Sequence, residues 1–245
     1  MNRAAIILAA GQGTRMNSDL PKVLHRVEGR YLLEYVIDAI RQVLPDNLYI
    51  VIGYKAEQVR TAFEGEELTF VMQREQLGTG HAVLQCEPHL SSFEGTVLVM
   101  NGDVPGLRPQ TIERFLRFHE RAKAAATVLT ALFEQPAGYG RIIKNDDGSL
   151  VKIVEDRDAT PAEKEIREIN SGLICFDKRA LFATLMEVGR ENEQREYYLT
   201  DVIGIMQAHR LPVAAFCVDD PMEVAGVNTV AELNAIGDYL KRMNG

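Results

Sequence analysis

The chain has 245 residues, 46% of them hydrophobic and 25% charged, with a formal net charge of −8. That length can bury one large core, while the acidic balance and the lack of any basic run argue against a general nucleic-acid or membrane-surface binder. Cys86, Cys175 and Cys217 lie far apart without metal-ligand spacing, so they read as buried free thiols of a reducing compartment.

Residues 4–8 form an apolar run that reads as a first buried strand. It opens onto Leu8-Ala9-Ala10-Gly11-Gln12-Gly13-Thr14-Arg15-Met16, followed by Pro21-Lys22-Val23-Leu24-His25. Glycines after a strand let backbone N–H groups approach phosphate, and Arg15 and Lys22 add fixed positive charge at the two ends of the loop. The string is not a P-loop, since no Gly-Lys-Ser/Thr follows at the required spacing. Nor is it a dinucleotide fingerprint, because Met16 stands where the third glycine belongs. The apolar stretch is too short to span a membrane and no cleavage site follows it, so the protein reads as cytosolic.

Short β-rich runs at 48–52, 68–72 and 96–100 alternate with helix-like stretches at 32–43, 55–63 and 79–86. This alternation predicts parallel βαβ units that bind ligands outside the carboxyl ends of the strands. Residues 1–125 therefore read as a nucleotide-binding half. Further on, strand-like runs at 127–132, 140–144, 150–154 and 169–176 have fewer helices between them, and Asn145-Asp146-Asp147-Gly148 marks a hairpin tip. Residues 155–168 are dense in charge, contain Pro161, and read as a solvated loop with a short helix. Helices at 178–188 and 199–209, a strand at 213–218 and a terminal helix within 229–245 complete a single domain with no repeat or linker.

With these residues in view, the segment 8–25 resembles the signature of sugar-1-phosphate nucleotidyltransferases, and its Pro-Lys-Val-Leu-His variant resembles the bacterial N-acetylglucosamine-1-phosphate uridylyltransferases. Other strings agree in order: Gln73 with Gln76-Leu77-Gly78-Thr79-Gly80-His81-Ala82, Asn101-Gly102-Asp103-Val104-Pro105, Gly138-Tyr139-Gly140-Arg141-Ile142, Ile153-Val154-Glu155, Ile169-Asn170-Ser171-Gly172, Glu196-Tyr197-Tyr198-Leu199-Thr200-Asp201 and Gly226-Val227-Asn228. The resemblance implies an α/β three-layer sandwich around a mixed, mainly parallel Rossmann-like sheet. It implies UTP and a sugar-1-phosphate as substrates, pyrophosphate as the leaving group, and Mg²⁺ as cofactor. Residues 126–228 would then form the sugar-binding half. Relatives of this type often carry a second, acetyltransferase domain of hexapeptide repeats; no such short period occurs here, which leaves a stand-alone enzyme or a piece of a two-domain one.

Attack of one anion on another calls for positioning and positive charge more than for a covalent nucleophile. Arg15 suits the leaving β- and γ-phosphates, and Lys22 the α-phosphate or the sugar phosphate. Asp103, just past a strand end, offers a hard oxygen for Mg²⁺; read alone it is a turn or capping aspartate before Pro105. Asn228 reads alone as an N-cap, and only the resemblance makes it a second ligand. Base and phosphate contacts are expected from Leu8, Ala9, Ala10, Gly11, Gly13, Gln73, Gly78 and Thr79, with the Gln73 amide serving both a donor and an acceptor of uracil. His81 reads as a helix cap or packing residue. The resemblance assigns the sugar to Gly140, Glu155, Asn170 and Thr200, while Tyr198 reads equally as acetyl-pocket wall or core aromatic. Two positions depart from the family: Tyr31 stands where proline is common, and Gly106 where an aliphatic residue is usual. Rival readings are a uridylyl- or thymidylyltransferase for glucose-1-phosphate, a cytidylyltransferase, and a non-catalytic nucleotide-sugar sensor. The last is expected to lose Arg15, Lys22 or Asp103, and all three are present.

Overall fold

Seven residues, Arg3–Ala9, form strand β1, whose side chains alternate between two cores: Ala5, Ile7 and Ala9 face one, Ala4 and Ile6 the other. A strand apolar on both faces must be covered on both faces, which is the condition of a parallel sheet between helical layers. The computed structural model describes every residue except Met1, Thr14, Arg15, Asn17, Pro45 and Gly245. After β1 come a short ribbon, β2 (Arg26–Val27) and β3 (Arg30–Tyr31), then α1 (Leu32–Arg41), β4 (Leu48–Ile52), α2 (Ala56–Ala62), β5 (Thr69–Met72), α3 (Thr79–Leu84) and β6 (Thr96–Asn101). The chain continues with α4 (Pro109–Ala122), β7 (Ala126–Leu132), β8 (Arg141–Lys144), β9 (Leu150–Val154), α5 (Pro161–Lys164), β10 (Glu168–Asp177), α6 (Lys178–Leu185), α7 (Asp201–Ala208), β11 (Val213–Cys217) and α8 (Val230–Asn244).

Among the described residues nine strands share one sheet in the order β11-β7-β10-β6-β1-β4-β5, with the β8–β9 hairpin hung on β10. The pairs of β1 with β4 and β6, β4 with β5, and β7 with β11 are parallel, whereas β10 runs against both β6 and β7. Helices α1, α2 and α4 cover one face through Leu33, Val36, Val59, Ile112 and Phe115. Helices α3, α6 and α7 cover the other through Val83, Leu181, Val202 and Met206. The sheet is therefore mixed, mainly parallel and doubly covered. Helix α8 lies apart on a third cluster, where Ile236, Tyr239 and Leu240 meet Val27, Leu32 and Val227.

Some elements escape the sequence reading. Helix α4 has its apolar face in Ile112, Phe115, Leu116 and the buried His119, set against Glu113, Arg114, Arg117, Glu120 and Arg121, an amphipathic pattern that the sequence reading left out. The β2–β3 ribbon is too short to show a period; it turns at Glu28 and Gly29, both at positive φ. The hairpin tip forms as expected, with Gly148 at φ +82° and its N–H donating to the Asn145 carbonyl at 2.9 Å. Cys86 and Cys175 are buried, but Cys217 is exposed on the edge strand β11, correcting the expectation of three buried thiols.

Both departures from the resembled pattern have local reasons. The backbone of Tyr31 has φ −66°, which proline could also adopt, but its N–H donates to the Glu34 carboxylate at the start of α1. At Gly106, a Cβ would stand 2.8 Å from the Met222 carbonyl oxygen, so a larger residue there would push apart the segments that follow β6 and β11.

Candidate active site

The chain after β1 goes to β4 and β5 on one side, and β6 lies on the other. Their carboxyl ends diverge at this switch point and leave a crevice. Its rim is held by backbone: Gly102 N–H donates to Leu8 O at 2.9 Å, and Tyr54 N–H donates to Ala10 O at 3.0 Å. A cleft of about 450 Å³ opens over Leu8, Ala9, Ala10, Gly11, Gln73, Gly78 and Thr79. A second, of about 230 Å³, opens over Gly140, Glu155, Asn170, Thr200 and Asn228. Leu8, Lys22, Thr79, Asn101 and Asp103 line both. Two compartments thus meet at one lysine and one aspartate.

Lys22 stands at the start of a short 3₁₀ turn, Lys22–Leu24, behind Pro21. Its Nζ pairs with the Asp103 carboxylate and donates to Asn228 Oδ1 at 2.6 Å. Gly13 lines neither cleft; it sits at φ +66°, and a Cβ there would come within 2.6 Å of Lys22 Cβ. Its part is to let the lysine stem pass. Arg15 lies outside the described residues.

Asn228 is not the cap of the helix it precedes. Thr229 accepts from Glu232 N–H at 3.2 Å, and the Glu232 carboxylate accepts from the N–H groups of Asn228 and Thr229 at 2.7 and 2.8 Å. That reciprocal cap releases the Asn228 side chain to the cleft. Val227 N–H donates to Asp103 O at 3.0 Å, fixing the two loops together. Asp103 is 8% exposed and its Oδ1 is buried with no partner among the described residues. Oxygens from Asp103 and Asn228 thus face one ammonium, and a further carboxylate oxygen waits beside them. No group of three or more His, Cys, Asp or Glu able to hold a metal occurs among the described residues. Two hard oxygens fit Mg²⁺, which keeps waters and takes its remaining ligands from substrate phosphates.

In the smaller cleft, β10 is the reversed strand, so it contributes from its beginning: Ile174 pairs with Val99, which leaves Asn170 beyond the end of β6. Asn170 N–H donates to Gly140 O at 2.8 Å, joining the β8 entry to the same rim. A bulge follows, with Gly172 at φ +81° where a Cβ would collide with the Asn101 amide. Thr200 donates to Glu155 Oε1 at 2.9 Å. Burial raises the Glu155 carboxyl above its ordinary range, the Thr200 hydroxyl opposes that, and Asp201, Asp158 and Asp156 add to it. Tyr198 is buried and lines neither cleft, and burial pushes its phenol up to about 12. It is a core aromatic.

The larger cleft also holds residues the sequence did not single out as site residues: Tyr54, Gln76, Asn101 and Glu196. Gln76, Asn101 and Glu196 stand inside the strings that carry the resemblance, which was the available signal. Glu196 comes from a distant segment that docks through Tyr197 N–H onto Leu77 O and Gly80 N–H onto Tyr197 O, both at 2.8 Å.

A family model described as the MobA-like NTP transferase domain matches residues 5–198, and the chain belongs to that family. It is 49% identical over 242 residues to the bifunctional protein GlmU of Pelotomaculum thermopropionicum, covering 99% of this chain and 53% of that protein. It is 50% identical over 228 residues to the GlmU of Streptococcus equi subsp. zooepidemicus, covering 93% and 49%. The chain spans about half the length of these relatives. A solved UDP-glucose pyrophosphorylase in complex with UDP-glucose shares the fold with a TM-score of 0.79 at 16% identity, over 99% of this chain and 100% of that one. No described helix is long and apolar enough to cross a membrane.

Proposed function

We propose that this domain transfers the uridylyl group of UTP to N-acetylglucosamine-1-phosphate, giving UDP-N-acetylglucosamine and pyrophosphate. The observation that carries the reading is the pair of clefts joined at Lys22 and Asp103, sized and placed for a nucleotide beside a sugar phosphate. Residues 1–125 serve the nucleotide and 126–228 the sugar, with 229–245 packed outside them. A phosphate oxygen of the sugar attacks the α-phosphorus in line. The bond from that phosphorus to the bridging oxygen breaks, and pyrophosphate departs with its electron pair. Lys22 neutralises the α-phosphate and the incoming phosphate at the junction, and Arg15 the leaving β- and γ-phosphates. Asp103 and Asn228 hold Mg²⁺, which when bound offsets charge on the phosphate oxygens. Gly140, Glu155, Asn170 and Thr200 meet the sugar, the Glu155–Thr200 pair offering both an acceptor and a donor to hydroxyl and acetamido groups.

The preference for the acetamido sugar rests on the strings at 21–25 and 76–82 and on the identity to the GlmU proteins. A cytosolic site of action suits both substrates. The test is pyrophosphate release by the purified chain with UTP and Mg²⁺, run with N-acetylglucosamine-1-phosphate and glucose-1-phosphate side by side. Strong preference for the acetamido sugar is expected. Equal or reversed preference discards the sugar assignment, and no release with either discards the transferase reading.

A further inference from the structure

Gln73 is 3% exposed yet lines the larger cleft, so the atom it presents there decides which base edge it can meet. Its Nε2 lies 3.0 Å from the Gly78 carbonyl oxygen. That oxygen only accepts, and turning the amide over would set two oxygens against each other. The same nitrogen lies 3.1 Å from His81 Nδ1. An amide nitrogen only donates, so Nδ1 carries a lone pair and the proton of the neutral ring sits on Nε2. Both Gln73 hydrogens are then engaged, and its Oε1 takes no hydrogen bond from the described residues.

Gln85 pulls the other way. Its Nε2 lies 3.2 Å from His81 Nε2 and 3.1 Å from the His81 carbonyl oxygen, an arrangement that asks for a lone pair on Nε2. One neutral ring can serve only one of the two glutamines. Gln73 is buried and pinned by Gly78, so losing a partner there leaves a donor stranded. The amide of Gln85 is partly exposed and can turn to water. The buried contact sets the tautomer.

We infer that His81 is a positioning residue for base choice: by accepting from Gln73 it completes, with the Gly78 carbonyl, the hold on that amide that leaves only a carbonyl oxygen facing the base. The inference rests on the larger cleft being the nucleotide site. A lone acceptor suits the N3–H of uracil or thymine and opposes the lone pair at N3 of cytosine. An amide held by the Gly78 carbonyl alone turns its NH₂ group toward cytosine more readily than one held twice. The lock therefore separates UTP from CTP and is blind to UTP against dTTP. On this reading Gln73 meets the N3–H of uracil alone, in place of the donor and acceptor expected of it from the sequence, and O4 is left to backbone N–H groups of the rim.

The experiment compares kcat/KM for UTP, dTTP and CTP, with N-acetylglucosamine-1-phosphate and Mg²⁺, in the wild type, His81→Phe and His81→Asn. Phenylalanine keeps a ring without an acceptor, while asparagine restores an oxygen near the place of Nδ1. The UTP-to-CTP ratio is expected to fall roughly tenfold or more in His81→Phe and to recover in His81→Asn, with UTP-to-dTTP held within about twofold. An unchanged UTP-to-CTP ratio in folded His81→Phe overturns the proposal. Independently of any variant, nitrogen NMR of the wild type at neutral pH should show His81 Nδ1 unprotonated, and a proton found on Nδ1 also overturns it. A wild type that turns over none of the three nucleotides defeats the functional reading instead, and the NMR result still judges the lock.

Discussion

Lys22 shows how much one side chain can couple. Its ammonium pairs with Asp103 and reaches Asn228, so a cation entering between those two oxygens must share them with the lysine or displace it toward substrate phosphate. On the proposed reading Asp103 decides both metal affinity and lysine position. Asp103→Asn keeps the shape and removes the charge. It should lower kcat on the order of 100-fold or more, the scale of losing one electrostatic stabiliser, and raise the Mg²⁺ concentration for half-maximal rate. A Mg²⁺ titration that overlays the wild type would remove Asp103 from the ligand set. Gly78 is constrained by its backbone: φ is +111°, and a Cβ would lie 2.6 Å from Tyr197 O. Gly78→Ala should cost about 1–3 kcal/mol in denaturant melts and raise the KM for UTP, because the displaced segment carries Glu196 into the cleft.

At the scale of elements, helix α4 is fastened to β7 by a buried polar contact, His119 Nδ1 with Thr127 Oγ1 at 2.8 Å. Burial lowers the His119 pKa to about 4. The unfolded chain takes up the proton near pH 6.5, whereas the folded chain resists it until about 4. Stability should therefore be whole above pH 6.5 and fall as pH drops toward 4, at no more than roughly 1.4 kcal/mol per unit from this group. His119→Gln should flatten that part of the pH profile; a curve with the wild-type slope would show that other groups dominate. The same helix marks where sequence reading failed. Strands β1, β4 and β6 were legible because strands buried on both faces are nearly continuous apolar runs. Helix α4 was as legible in principle, since Ile112, Phe115, Leu116 and His119 recur at helical spacing against a charged solvent face, yet the sequence reading left it out. That Gly11 and Asp103 border a cleft was legible because both follow directly on strand ends. That Gln73 offers only its oxygen was not, because it depends on a carbonyl and an imidazole brought round by α3 and the turn before it.

For the whole molecule, a question is what holds the Asp103 loop to the distant Asn228 loop. Beyond the Val227–Asp103 backbone bond, Arg108 at the start of α4 pairs with Glu223, which is 1% exposed and has one oxygen without a partner among the described residues. Tyr239 of α8 donates to Asp220 Oδ2 at 2.9 Å in the same region. Arg108→Ala strands the Glu223 carboxylate and should cost about 1–3 kcal/mol, read from denaturant unfolding. A loss under about 0.5 kcal/mol would mean that the carboxylate finds water.

Strand β10, which runs against its neighbours, has a consequence for a chain made from one end to the other. Once residues 1–125 have left a ribosome, β6 has β1 on one side and a bare edge on the other, a template for mispairing with another chain. The strand that blunts this edge arrives late, and it is the strand that brings Asn170 to the rim. Protection from aggregation and assembly of the second cleft are thus a single event in the birth of the protein.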